Sequence, residues 1–165
     1  LIYKDYTVDD LLSTFVDNHN HVWSGTYGNG VFEFDIVRNR FTGSLNVENS
    51  ALSSNYIKDI TQLTDGTLCF ATLRTGIDLY SSSDSSFRNI RFSPFTHHYE
   101  SDYINNVFED SKGRLWVLSW YGAFVLDEQY HLIGSYTTDQ GLISNELTAI
   151  TEDINGDIWL GSCPL

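Results

Sequence analysis

An all-β fold of repeated four-stranded antiparallel sheets is what this 165-residue sequence predicts, on three observations. A phrase close to D-x-x-G-x-x-W recurs: DNHNHVW from Asp17, DSKGRLW from Asp110 and DINGDIW from Asp153, with a worn copy, LTDGTLC, from Leu63. Its last residues, Trp23, Cys69, Trp116 and Trp159, lie 46, 47 and 43 positions apart. Four short β-like runs fall within each period, and no segment carries apolar residues at helical spacing over three turns, so helices are not expected. One such unit cannot bury its own apolar surface and must stack on its neighbours. Four antiparallel strands at this period describe a β-propeller blade. About three and a half blades fit the length, which makes the chain a fragment of a larger propeller.

The first run of each unit begins six residues before the phrase, as LLSTFV from Leu11, IKDITQ from Ile57, INNVFE from Ile104 and LTAITE from Leu147. The glycine of D-x-x-G supplies a hairpin turn at positive φ, and the acidic residue is placed to bond the turn's own backbone. The second run reads VWSGT, LCFAT, LWVLS and IWLGS, with a hydroxyl at Thr26, Thr72, Ser119 and Ser162. Small residues at Gly25, Ala71 and Gly161 allow close backbone approach, and Leu118 breaks that pattern. A third run follows as GVFEFD from Gly30, GIDLYS from Gly76 and GAFVLD from Gly122. A fourth comes as RFTGSL from Arg40, FRNIRF from Phe87 and HLIGSY from His131. The boundaries expected are 1–8 as the last strand of a preceding blade, 9–46, 55–92 and 102–137 as whole blades, and 145–165 as the first two strands of another. The two ends could make a fourth blade only by omitting its third strand. The open sheet edges are therefore expected to be covered by further sequence or by self-association.

The core I-x-x-I-x-E-D-x-x-G-x-x-W, seen in INNVFEDSKGRLW and LTAITEDINGDIW, and the spacer DQGLISN from Asp139 resemble the two-component regulator propeller family. The resemblance covers essentially the whole chain. It departs at Leu63 and Cys69, and around Pro94 to Asp102, where PFTHHYESD replaces the spacer. It implies tandem propellers in the periplasmic sensor half of a hybrid histidine kinase, with the kinase and an inner-membrane anchor outside this chain. In such receptors the ligands are breakdown products of polysaccharides.

Composition narrows the partners. A net charge of −13 with nine Lys and Arg leaves no basic stripe for phosphates, so nucleic acid and anionic membrane surfaces are poor partners. No apolar run reaches the length of a membrane span, and LIYKDYTVDD lacks the character of a signal peptide. The sequence has no Met, which points to a processed product or a piece of a longer chain. Cys69 stands where the repeat has Trp and reads as a small core residue, and pairing with Cys163 in the same chain is not expected.

In a four-stranded blade the D-x-x-G turns share one face with the turns between strands three and four. The loops between strands two and three, and the crossovers between blades, lie on the other. Asp153, Asn155 and Asp157 alternate like the start of a calcium loop, but no bidentate Glu follows at the twelfth position. On the opposite face stand Tyr27, Asn29, Arg74, Trp120 and Tyr121, and the crossover with His97 and His98. Flat aromatics beside Asn and Arg suit a sugar, since rings stack on its C–H faces; the competing reading is that these aromatics pack between blades. His97, His98, Glu100 and Asp102 could be read as metal ligands or as an acid and base pair. Adjacent side chains of an extended segment point apart, and a solvated loop fits better. His19 and His21 have no third ligand in view. No G-x-S-x-G elbow, Walker loop or H-E-x-x-H nominates a catalyst, and no cofactor is expected. Taken with the family resemblance, which implies the periplasm and oligosaccharides, the sequence reads as a ligand-sensing or interaction module. The alternatives are a propeller enzyme of lyase or glycosidase type, with only His97, His98 and Glu100 as candidates, or structural blades that mediate dimerisation.

Overall fold

The computed structural model describes residues 10–162. The leftover strand expected within 1–8 and Cys163 lie outside them. The first sheet runs β1 (Leu11–Val16), β2 (His21–Thr26), β3 (Val31–Asp35) and β4 (Arg40–Leu45). The second holds β5 (Ile57–Gln62), β6 (Leu68–Thr72), β7 (Ile77–Ser81) and β8 (Ser86–Ile90). The third holds β9 (Ile104–Glu109), β10 (Leu115–Ser119), β11 (Gly122–Leu126) and β12 (Leu132–Tyr136), and β13 (Leu147–Glu152) pairs with β14 (Ile158–Ser162). Strands follow chain order within each sheet, and every pairing is antiparallel. The first strands of successive sheets touch one another, β1 to β5, β5 to β9 and β9 to β13. The sheets are therefore propeller blades stacked about an axis lined by those strands.

Each seam between blades is a separate apolar core. Trp23 of the first blade is buried against Ile57, Ile60, Leu68 and Phe70 of the second. Cys69 packs with Ile104, Val107, Leu115 and Val117 of the third, and Trp116 with Leu147 and β13–β14 of the fourth. The period-2 alternation of the second strand accounts for this, because Trp23 points forward while Leu68 and Phe70 point back. Gly25 is small because a Cβ there would meet Ile57 Cγ2 at 2.8 Å. Where Leu118 replaces the small residue, it lies buried in the same core as Leu147.

Helix does occur, in short pieces. A single turn, α1 (Ser93–Thr96), and 3₁₀ turns at Tyr99–Asp102 and Thr138–Gln140 occupy the crossovers. One turn needs no helical periodicity: Pro94 starts α1 and His97 ends it at φ 62°. The fourth strand of the second blade also ends earlier than FRNIRF suggests. Phe92 turns inward to stack on Phe124 at 4.5 Å, and Arg91 turns to Asp102.

The loop faces differ in how they are held. On the turn face, Asp110 Oδ1 accepts the N–H of Lys112 and Arg114 while Oδ2 accepts the indole N–H of Trp116 at 2.9 Å. Asp17 does the same for His19, His21 and Trp23, and Asp153 for Asn155, Asp157 and Trp159. The phrase is one hydrogen-bonded device, in which the carboxylate fixes both the turn and the tryptophan that reaches the next blade. In the second unit Leu63 and Cys69 replace both partners and are buried in one cluster. Tyr130, from the turn between β11 and β12, packs against that cluster and donates its hydroxyl to Asp65 at 3.0 Å. The last residue of each first strand stitches to the preceding blade: Gln62 accepts from Asn18, Glu109 from Thr64 and Glu152 from Ser111.

Candidate functional site

On the opposite face, backbone groups hold the loops. The repeated hydroxyl closes each loop between strands two and three, since Thr26 donates to Gly30 O, Thr72 to Gly76 O and Ser119 to Gly122 O. The N–H groups of Tyr27, Leu73 and Trp120 donate to the carbonyls of Asp10, Tyr56 and Tyr103, just before each first strand. Gly28 and Gly30 donate to Asn55 O, and Arg74 and Gly76 to Asp102 O, which ties each loop to the next blade's crossover.

These bonds set the aromatic side chains in a row across the seams. Tyr27 meets Tyr56 edge-on, with ring centroids 4.9 Å apart. Tyr27, Tyr56, Leu73 and Arg74 line a cleft of about 110 Å³. The Arg74 guanidinium lies over the Tyr103 ring at 5.6 Å, and Tyr103 packs against Trp120 at 4.9 Å. Trp120 donates its indole N–H to Asn105 at 3.2 Å. Tyr27, Tyr56 and Trp120 nonetheless remain between 41% and 53% exposed. The aromatics therefore pack across the blade seams and present ring surface to solvent at once.

Three of the residues singled out in the sequence, Tyr27, Arg74 and Trp120, join this row. His98 and Tyr121 form a separate pair, stacked at 4.1 Å with planes 18° apart. Asn29 takes part through its backbone, donating N–H to Thr26 Oγ1, and His97 through its N–H to Ser93 O. The residues that link the row, Tyr56 and Tyr103, escape a reading made loop by loop. Their signal is positional, because each directly precedes the first strand of its unit.

The crossover that carries the histidines is anchored by Asp102. Fully buried, it accepts from the N–H of Phe92 and Ser93, from Ser93 Oγ and from Arg91. It is structural here, while His97, His98 and Tyr99 face solvent. Glu100 beside Tyr99 pushes that phenol above its ordinary range. His21 is engaged within its own blade, 2.5 Å from Glu33. Among the described residues no group of three His, Cys, Asp or Glu is placed to hold a metal ion.

A cavity of about 670 Å³ opens on the turn face between the second and third blades, lined in part by Leu63, Asp65, Glu109, Lys112 and Tyr130. The repeat phrase directs attention to the other face, and volume alone would direct it here. Three of the carboxylates in this wall are already engaged: Glu109 by Thr64, Asp110 by its turn and Arg114, Asp65 by Thr67 and Tyr130. Burial pushes Asp110 up, but Arg114, Trp116 and the turn N–H groups outweigh it and hold the carboxyl below the ordinary carboxylate value. Burial likewise raises Asp17, and Trp23 and the N–H groups of His21 and His19 bring it down. Asp153 is lowered by Trp159 and its turn N–H groups.

The sequence profile of the two-component regulator propeller matches residues 98–121 and 141–163. Among solved structures, the extracellular domain assigned to the hybrid two-component system BT3049 of B. thetaiotaomicron is 25% identical. It superposes with a TM-score of 0.80 over 92% of this chain and 20% of its own. Two stretches of the chain thus match two-component regulator propeller repeats. The extracellular domain of BT4673 from the same organism, at 24% identity and TM-score 0.78, covers 93% of this chain and 23% of its own. These propeller repeats thus span about a fifth of the domains they resemble. Virginiamycin B lyase of Staphylococcus aureus shares the fold alone, at 14% identity and TM-score 0.67, over 89% of this chain and 47% of its own. No curated protein matches the sequence. No helix among the described residues is long and apolar enough to cross a membrane.

Proposed function

We propose that this chain is a non-enzymatic part of the periplasmic sensor region of a two-component receptor, and that its crossover face receives an oligosaccharide. The observation that carries this reading is the row Tyr27, Tyr56, Arg74, Tyr103 and Trp120, in which the rings of Tyr27, Tyr56 and Trp120 are exposed on one face beside polar groups. Ring surface that is held rigid and left accessible suits the C–H faces of a sugar. His98 and Tyr121 flank it. The test is calorimetric titration with neutral and acidic oligosaccharides on the wild-type chain and on Trp120→Ala. Binding that falls at least about ten-fold in Trp120→Ala supports the platform. Equal binding by the two proteins, or none by either, removes it.

A second reading concerns the outer sheet faces, and Trp159 favours it. Trp23 and Trp116 are 2% and 7% exposed beneath the blade that follows them, whereas Trp159 is 62% exposed. Leu11, Leu12 and Val16 are exposed on the first blade. Such faces dock further blades or a second copy of this chain. Sedimentation of the chain is expected to show concentration-dependent association that Trp159→Glu weakens. A folded chain that stays monomeric at high concentration refutes self-association.

A further inference from the structure

The row carries one cation whose placement the fold does not explain. Arg74 sits at φ 85°, a left-handed conformation that costs a side chain free energy. The equivalent position of the first blade is Gly28, at φ 116°, with the same backbone bond to the crossover. Glycine would serve the loop without strain, so the loop's geometry does not call for arginine. Ion pairing does not call for it either. Arg38, Arg91 and Arg114 are each tied to a carboxylate, whereas Arg74, like Arg40 and Arg88, forms no salt bridge among the described residues of a chain whose net charge is −13, and of these three only Arg74 lies on the row. Its guanidinium rests on Tyr103, at the edge of the cleft formed with Tyr27, Tyr56 and Leu73.

We propose that the row selects an acidic sugar, with Arg74 binding a carboxylate or sulfate substituent in the cleft while the sugar ring lies against Tyr103 and Trp120. This rests on the oligosaccharide reading above. The sizes agree: a cleft of about 110 Å³ has room for several waters, enough for an anionic substituent. A planar guanidinium backed by an aromatic face keeps its outer N–H fork free for a bidentate anion contact. The surrounding negative charge makes this anion site local, so an acidic ligand must approach with its charged substituent toward Arg74.

The experiment titrates the wild-type chain, Arg74→Gly and Trp120→Ala with an oligogalacturonate and with its methyl ester, which keeps the rings and removes the charge. A sulfated oligosaccharide and a polyglutamate peptide complete the set. The wild type is expected to bind the acid at least about ten-fold more tightly than the ester, with the preference shrinking as salt rises. Arg74→Gly should abolish the preference, binding acid and ester with equal affinity, and Trp120→Ala should weaken both ligands. Because Arg74→Gly relieves a strained backbone, its Tm should not fall, which separates lost recognition from lost folding. Binding of the sulfated sugar but not the uronate assigns the cleft to sulfate. Equal affinity for acid and ester in both wild type and Arg74→Gly overturns the acidic preference and leaves the sugar platform standing. Tight binding of polyglutamate with no sugar binding overturns both.

Discussion

The pairing of Asp110 with Trp116 makes a quantitative claim. The carboxylate is buried and accepts the indole N–H at 2.9 Å, two turn N–H groups at 3.0 Å and the Arg114 guanidinium at 2.7 Å. Replacing Asp110 with Leu strands the indole N–H in the seam, at about 1–3 kcal/mol for an unsatisfied buried donor. The two turn N–H groups add up to roughly 1 kcal/mol each, since water reaches them in part. The partly exposed ion pair with Arg114 adds at most about 1 kcal/mol. Asp110→Leu should therefore cost about 1–6 kcal/mol, with the middle of that range near 3–4. Trp116→Phe keeps most of the ring packing and deletes the donor, so in that background Asp110→Leu should cost about 1–2 kcal/mol less. Urea unfolding of the two single variants and the double variant, followed by far-ultraviolet circular dichroism, measures this coupling if the m-values agree. Costs that add to within about 0.5 kcal/mol would refute the claim that the phrase acts as a unit. The second repeat already displays the paired exchange, since Leu63 and Cys69 lose carboxylate and indole together.

Three further outcomes are expected. Gly76→Ala should be about 1–3 kcal/mol more destabilising than Gly66→Ala in the same urea assay. Both residues lie at positive φ, but a Cβ at Gly76 would sit 2.0 Å from the Ile90 carbonyl oxygen, while Gly66 has open space. Burial, and then Asp65, push the Tyr130 phenol up to about 12, so the folded state holds its proton longer than the unfolded chain does. The stability contributed is full below pH 10 and is lost as pH rises from 10 through 12, and Tyr130→Phe should flatten that decline in pH-dependent thermal unfolding. Burial raises Asp59, whose partners are the N–H groups of Ile60 and Val107. Its folded form prefers the proton, so its contribution grows as pH falls through that raised value, and Asp59→Asn should remove this increment. Asp17, Asp110 and Asp153 act oppositely: their lowered values stabilise the fold above the ordinary carboxylate range, and that stability goes as pH falls below it.

The first, second and third strands of each unit are legible in the sequence to within a residue or so, because their alternation and the D-x-x-G turn are local properties. Gly66, Gly113 and Gly156 all take the positive φ that the phrase implies, and Asn20 takes it where the first copy lacks glycine. The early end of β8 and the turn α1 are not legible, because both follow from a long-range partner. Asp102 draws Arg91, Phe92 and Ser93 out of strand geometry from nine to eleven residues away. The candidate site divides in the same way. Tyr27, Arg74 and Trp120 can be named from loop position, but Tyr56 and Tyr103 become visible only when Tyr27 and Leu73 bridge to the next crossover. The replacement of a Trp-sized seam residue by Cys69 hides its compensation too, since Tyr130 arrives from another blade.

The means of fixing each face decide where recognition can sit. On the turn face structure is held by side chains: aspartates clamp turns, indoles fill seams, and Gln62, Glu109 and Glu152 stitch neighbouring blades. A substitution there removes a bond on which the fold depends. The cavity on that face is therefore walled in part by groups already spent on structure, among them Asp65, Glu109 and Asp110. On the crossover face the loops are held by N–H to carbonyl bonds, by a hydroxyl at the end of each second strand, and by glycines whose missing Cβ lets β4, β8 and β12 approach. Side chains at positions 27, 74 and 120 pack across the seams but make none of the bonds that close those loops. Tyr, Arg and Trp can stand there, even at a strained φ in the case of Arg74, without loosening a blade. Where the backbone carries the structure, the side chains are free to carry specificity, and in this chain that freedom belongs to the crossover face.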